Sequence, residues 1–333
     1  MSPRSSLVPT LAWLLPALLA GIAASLSLGL QEYAPGTVAG ALLTFDGSTA
    51  HHVVRDLRLP RALIAPVAGA SLGVAGVLIQ TLVRNRIAAP DVLGLNAGAA
   101  LAVVAATVLF GVGALAALSL IAAAGALLTA LLIFAVAHAG GGARAAMSPA
   151  RTVLAGITLA GLMISLVQVI LTTDEATLDE LLFWLAGAFA DRPLTLLAAS
   201  GWLVVLGLFA AFAVARPLDA LLADEDTARG LGVPLVRVRA TAFGAIAALT
   251  GGAVALAGPV GFIGLVAPHV ARRLVGLAHR DLIPVAALVG AVFALLADVG
   301  ARYLIHPAEV PVGVVTALVG APVLIALLRR RAA

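Results

Sequence analysis

The sequence has no cysteine, which excludes disulfides, thiolate metal sites and a thiol nucleophile. It also has no lysine: all twenty basic residues are arginine. Without lysine there is no P-loop, whose lysine holds nucleotide phosphates, and no Schiff-base chemistry. If ATP drives this protein, another chain hydrolyses it. Charge is scarce, at 11% of residues, and aromatics make up 5%. That is too few for the aromatic girdles of a β-barrel, and no alternating ten-residue strands are present. No Ser-His-Asp, HExxH or paired-carboxylate arrangement stands in a supporting context, so the chain reads as a non-enzyme.

What is present is hydrophobic: 62% of residues are apolar and the mean hydropathy is +1.13. A soluble domain carries about 45–50% apolar and about 25% charged residues. Lipid is the natural solvent for this chain. Thirty-four glycines suit close helix packing in a bilayer, where leucine gains nothing by association. The basic balance, net +4, is scattered between apolar runs and sets topology rather than binding nucleic acid.

About twenty apolar residues span a bilayer as a helix. Ten such spans are predicted, near 10–30, 61–82, 95–115, 117–138, 151–172, 194–215, 238–257, 259–275, 282–300 and 311–328. The fold class is therefore all-α, a polytopic membrane protein forming one domain over 1–333. The eighth span holds Pro259, Gly261, Gly264 and Pro268 and is expected to be broken or short, which membrane depth tolerates only against protein or a wet cavity. With both termini cytoplasmic, Arg55, Arg58, Arg61, Arg192 and Arg302 fall outside. The other fifteen of the twenty arginines fall inside, as the positive-inside rule requires.

Two outer loops follow, at 31–57 and 173–192. The second holds Asp174, Glu175, Asp179, Glu180 and Asp191, and its Leu181–Leu182–Phe183–Trp184 run suggests a short helix on the membrane surface. The inner loop at 216–236 carries Leu218, Leu221, Leu222 and Leu231 near helical spacing, with Asp224 as N-cap and Gly230 or Gly232 as stop. An amphipathic helix there suits docking of a cytoplasmic partner.

Few polar groups lie at membrane depth. Asp298 and Arg302 stand four apart on one helix face, as a neutralising structural pair or with Arg302 turned outward to a partner. Gln80, Asn85, Asn96, Gln168 and His269 are expected to bond between helices. His269 lacks a second ligand at metal spacing, and no metal site is assigned. One embedded acid is a thin relay for proton- or sodium-driven transport, which weakens a secondary transporter; a scaffold without transport is a third reading.

Five strings carry more than composition. They are RLPRALIAPVAGASLGVAGVLIQTLVRNRIAAPDVLGLNAGAA at 58–100, LDELLFWLAGAF at 178–189, LLADEDTARGLGVP at 221–234, the stretch from GPVGFIGLVAPH to LLADVGAR at 258–302, and EVPVGVVTALVGAPVLIALLRR at 309–330. Together they resemble the FecCD family, permease subunits of binding-protein-dependent ABC importers for iron–siderophore complexes, haem and vitamin B12, and look nearest to ferric citrate or ferric siderophore permeases. The resemblance spans the whole chain.

It implies the type II ABC importer permease fold with ten transmembrane helices, in the cell inner membrane. It implies a second permease subunit (a copy or a paralogue), two cytoplasmic ATPase subunits that bind ATP and Mg, and a periplasmic or lipid-anchored substrate-binding protein. This chain itself holds no cofactor. Carried over residue by residue, Arg58, Arg61 and Arg302 become the contacts to the binding protein, and Glu225, Ala228, Arg229, Gly230 and Leu231 the contact to the ATPase. Asn85, Arg86 and Ile87 fall at the inner gate, where Arg86 stands in place of the family's proline, and Ser148 and Pro149 at a second gate segment. The cargo implied is an iron(III)–siderophore complex, with haem or cobalamin as the alternative.

Overall fold

The computed structural model describes residues 7–138, 149–173, 181–222, 225–305 and 308–329. Their architecture is helical: α1 (Leu7–Ser27), α2 (Pro35–Leu43), α3 (Thr49–Leu82), α4 (Leu95–Phe110), α5 (Leu115–His138), α6 (Pro149–Leu171), α7 (Thr195–Ala213), α8 (Ala215–Leu221), α9 (Glu225–Gly230), α10 (Leu235–Ala257), α11 (Ile263–Val275), α12 (His279–Ala301) and α13 (Val312–Arg329). Seven of these, α1, α3, α5, α6, α7, α10 and α12, are long and apolar enough to cross a membrane.

Burial separates centre from rim. In the apolar stretches of α3 and α10, 78% of residues are buried by this chain alone; in α1 the figure is 11% and in α6 it is 22%. So α3, α10 and α12 form the core, and α1, α6 and α7 turn most of their surface outward. Glycine permits the closest approach. A Cβ on Gly76 of α3 would collide with the Gly264 carbonyl of α11, and one on Gly69 with the Gly290 carbonyl of α12. Backbones in van der Waals contact replace the hydrophobic drive that lipid does not supply.

Three expectations change. The 31–57 segment is largely helical: α2 lies within it, and α3 begins at Thr49 and passes through a π-helical turn over Val53–Arg58. Several of its polar residues pair with one another, Asp46, His52 and Asp56 while still exposed. Ser48 Oγ caps the His51 N–H at 3.3 Å. His51 is buried and meets Asp46 at 2.8 Å, and His52 meets Asp56 at 2.8 Å. The third span stops at Phe110 because Gly111 takes a left-handed cap, φ 66°. The Leu181–Trp184 run is helical, but Leu181 and Trp184 are buried in the bundle while Leu182 and Phe183 are exposed. Asp174, Glu175, Asp179 and Glu180 lie outside the described residues.

The eighth stretch breaks where its Pro and Gly residues stand. Gly258 (φ 72°) and Phe262 (φ 66°) are left-handed, and α11 starts only at Ile263. The break is tied down from α4 and the chain before it: Asp91 Oδ2 accepts from the Phe262 N–H at 3.4 Å, and Asn96 Nδ2 donates to the Val260 carbonyl at 3.4 Å.

Candidate functional site

Three places carry polar side chains that a bundle of this kind does not need for packing alone. Two lie at opposite ends of α12, which runs from His279 to Ala301. The third is the outward face of α6.

At the Arg302 end the structure brings together all three arginines that the resemblance singled out. Arg58, Arg61 and Arg302 line one cavity of about 310 Å³ with Tyr33 and Glu309. Their setting differs from the expected outward display, since they are 6%, 9% and 2% exposed. Arg302 Nη2 donates to Asp298 Oδ2 at 2.5 Å and to Ser25 Oγ at 2.8 Å, while Nη1 donates to the Ser25 and Leu28 carbonyls, each at 2.7 Å. Arg61 shares the same carboxylate, with Nη2 at 2.8 Å from Asp298 Oδ1, and reaches Glu309 Oε2 with Nη1 at 2.7 Å. Arg58 donates to the Leu26, Ser27 and Gln31 carbonyls and lies over the Tyr33 ring at 4.7 Å.

The reason is electrostatic. A guanidinium buried near lipid needs partners for its donors, and the carbonyls left over at the end of α1 with two carboxylates supply them. Among the described residues, Arg302 Nε is buried without a hydrogen-bond partner. Arg192, on the connection before α7, is also buried, which pulls its guanidinium down to about 10 and leaves it charged at neutral pH.

At the His279 end, three parts that the sequence kept far apart converge. The connection after α3 holds Arg84 in a left-handed backbone, φ 49°. Asn85 closes a tight turn there, its Oδ1 accepting from the Ile87 N–H at 3.1 Å; Arg86 and Ile87 are exposed. Ser148 lies outside the described residues, and Pro149 opens α6, where a missing N–H costs nothing.

The 216–236 segment forms two short helices, α8 and α9, rather than one. The Gly232 and Val233 N–H groups close α9 on the Arg229 and Ala228 carbonyls at 2.9 and 3.0 Å, with Gly232 left-handed, a Schellman stop. Asp224 lies outside the described residues. Of the residues assigned to the ATPase contact, Ala228 is fully buried within this chain. Glu225 begins α9, Arg229 pairs with Asp226 at 3.1 Å, Gly230 is exposed and Leu231 is 71% exposed.

A polar chain ties this segment to the core. Asp219 of α8 accepts from the His279 N–H at 2.9 Å and meets His279 Nδ1 at 2.6 Å; His279 Nε2 meets Thr81 Oγ1 of α3 at 2.8 Å. Beside it, Gln80 Nε2 donates to the Gly264 carbonyl at 3.3 Å while its Oε1 accepts from Arg272 at 2.5 Å. Gln80 and Asn96 thus bond between segments as expected. Sequence reasoning missed Asp219, His279 and Asp91, because none stands at a recognisable motif spacing.

It also missed the face of α6. Thr158, Gly161, Ser165 and Gln168 recur at steps of three and four, and this chain leaves all four exposed. Small and hydroxyl residues in a membrane helix are enriched where helices meet, and an amide such as Gln168 favours a protein or water contact over lipid. A second uncovered surface is an apolar groove of about 750 Å³ along α13 and the Pro259–Phe262 break, lined by Ala186, Gly313, Leu318 and Ile325 among others.

Comparison with known proteins places this geometry. The FecCD transport family model matches residues 17–330. The ferric enterobactin transport system permease FepD of Escherichia coli is 39% identical over 318 residues, covering 96% of this chain and 94% of its own. The Fe(3+) dicitrate transport system permease FecC of the same organism is 39% identical over 288 residues, 84% of this chain and 83% of its own. A solved structure described as an inward-facing conformation of a metal-chelate type ABC transporter superposes with a TM-score of 0.84. It is 30% identical and covers 96% of this chain and 98% of that one.

Proposed function

The chain belongs to the FecCD transport family, and from that premise we propose that it is the permease subunit of an ABC importer that carries an iron(III)–siderophore complex such as ferric citrate into the cytoplasm. The observation that carries this is the match of nearly the whole chain to permeases of iron-chelate importers, in sequence and in fold. The chain is a multi-pass membrane protein. α1, α3 to α7 and α10 to α13 are its ten crossings, with both termini and the His279 end in the cytoplasm. ATP and Mg belong to two partner ATPase subunits, and affinity for the chelate to a separate binding protein. Haem or cobalamin is the alternative cargo.

Each place in the structure then has a task. The Arg302-end cavity, lined by Arg58, Arg61 and Arg302, is where the binding protein docks. The Thr158–Gln168 stripe forms part of the wall of a path shared with the second permease. Weakly binding small and amide side chains let a cargo leave as readily as it enters. The exposed Leu231, with Arg229 and Gly230, docks on the ATPase. Asp219, His279 and Thr81 carry movement of that segment to α3 and so to Asn85–Ile87 at the inner gate, with Pro149 in a second gate segment.

Reconstitution tests the coupling. With the ATPase partners and loaded binding protein present, Leu231→Asp is expected to cut chelate-stimulated ATP hydrolysis at least about tenfold, as loss of an anchoring side chain worth over ~1.4 kcal/mol would. Unchanged stimulation removes the docking role. Transport by the purified chain alone, driven by a proton gradient, overturns the importer reading.

A further inference from the structure

Arg61 meets two carboxylates on different nitrogens. Nε and Nη2 donate to Asp298 Oδ1 at 3.2 and 2.8 Å. Nη1 donates to Glu309 Oε2 at 2.7 Å. The two acids are not equivalent. The Asp298 side chain is 1% exposed and is shared with Arg302. The Glu309 side chain is 27% exposed and lines the cavity of about 310 Å³ with Arg58, Arg61 and Arg302. Glu309 also stands on the connection between Ala301, where α12 ends, and Val312, where α13 begins, so no helix fixes its backbone.

Those differences decide which contact gives way. Parting a buried carboxylate from a buried guanidinium strands both charges. A partly exposed ion pair is worth far less, because water replaces each partner and a freed glutamate regains its rotamers. Exchange at Nη1 therefore leaves Arg61 aimed by Asp298, with one donor ready for another acceptor. Arg58 and Arg302 are held by the bundle instead: the carbonyls of Leu26, Ser27 and Gln31 hold the first, and Asp298 with Ser25 and Leu28 holds the second. We propose that Glu309 is an internal stand-in for an acidic group of the binding protein. It occupies Arg61 Nη1 while the permease is undocked, and a carboxylate of the binding protein displaces it on docking. The occupant names the chemistry of its competitor, since a nitrogen that holds one carboxylate in a charge-assisted bond holds another in the same geometry. Competition of this kind keeps docking weak enough to reverse. The inference rests on the docking role given to this cavity above.

Binding of the loaded binding protein to the assembled importer, measured by surface plasmon resonance without nucleotide, tests it. Glu309→Gln removes the competing charge and leaves Arg61 held by Asp298. It is expected to tighten binding about fivefold, the scale of one partly exposed ion pair. Asp56→Asn removes the same charge near the same end, from an exposed residue that does not line the cavity, and is expected to leave affinity unchanged. In an Arg61→Gln background, Glu309→Gln is expected to have no effect, because the contact it releases is already gone.

Unchanged or weaker binding in Glu309→Gln overturns the proposal and makes Glu309 a tie for its own connection. Equal tightening in Asp56→Asn also overturns it, since the effect is then a general loss of negative charge. So does tightening that persists in the Arg61→Gln background, which places the action of Glu309 elsewhere. Where Arg61→Gln fails to assemble, the comparison of Glu309→Gln with Asp56→Asn still decides. The docking role has its own readout. Equal affinity in the parent and Arg61→Gln removes that role, whereas affinity lost there but unmoved by Glu309→Gln removes the stand-in alone.

Discussion

A single carboxylate organises the Arg302 end. Asp298 is 1% exposed and binds two guanidiniums, Arg61 and Arg302, on its two oxygens. Removing one partner of a buried ion pair leaves the other uncompensated, at about 3–5 kcal/mol. Asp298→Asn keeps the shape and removes the charge, so it isolates that cost: thermal unfolding in detergent is expected at a markedly lower temperature than for the parent. An unshifted transition would mean that the carbonyls of Ser25 and Leu28 suffice on their own. The same geometry limits what charge reversal at Arg58 or Arg61 can report. A glutamate there would face Asp298, Glu309 or bare carbonyls, so a transport defect would reflect a broken bundle end before it reflected lost docking.

At the scale of elements, the apolar runs were legible and the polar ends were not. Seven of the expected spans coincide with helices long and apolar enough to cross a membrane, because hydropathy over about twenty residues is a strong, local signal, and the other three coincide with helices that fall short of that measure. The break near Pro259 was legible too, since its Pro and Gly residues announce it. The start of α3 was not. The 31–57 stretch read as an outer loop, yet from Thr49 it is helical, with His51 paired to Asp46 across the turn before it and His52 to Asp56 one turn on. The burial of Arg58, Arg61 and Arg302 was hidden too, because their partners lie on α1, on α12 and at Glu309. Close packing of α3 on α11 was visible only as glycine content. Its cost can be measured at Gly76, where an added methyl meets the Gly264 carbonyl, a backbone atom that cannot rotate away. Gly76→Ala is expected to destabilise the fold by about 1–3 kcal/mol. Gly230→Ala, where an added methyl meets open space, is expected to have little effect on stability in the same unfolding experiment.

For the molecule as a whole, the proposed function requires one uncovered surface to meet lipid and another to meet a second permease and the cargo. α6 and α7 are both largely uncovered, but they differ in kind. α7 exposes Trp202, Val205, Leu206 and Phe209, an apolar face that lipid satisfies. α6 exposes Thr158, Gly161, Ser165 and Gln168 among its leucines, and an amide in hydrocarbon without partners costs several kcal/mol, about the price of its lost hydrogen bonds. If α6 borders a path shared between two permeases, Gln168 is wetted as the transporter cycles while Val205 never is. The absence of native cysteine makes this measurable without background. In the assembled importer, Gln168→Cys is expected to react with a small water-soluble thiol reagent, faster in one nucleotide state than in another, while Val205→Cys stays inert in every state. Modification is also expected to block uptake in the first variant alone. Equal reactivity at both positions would turn α6 back into a lipid-facing helix and move the path elsewhere, to the groove between α13 and the Pro259–Phe262 break.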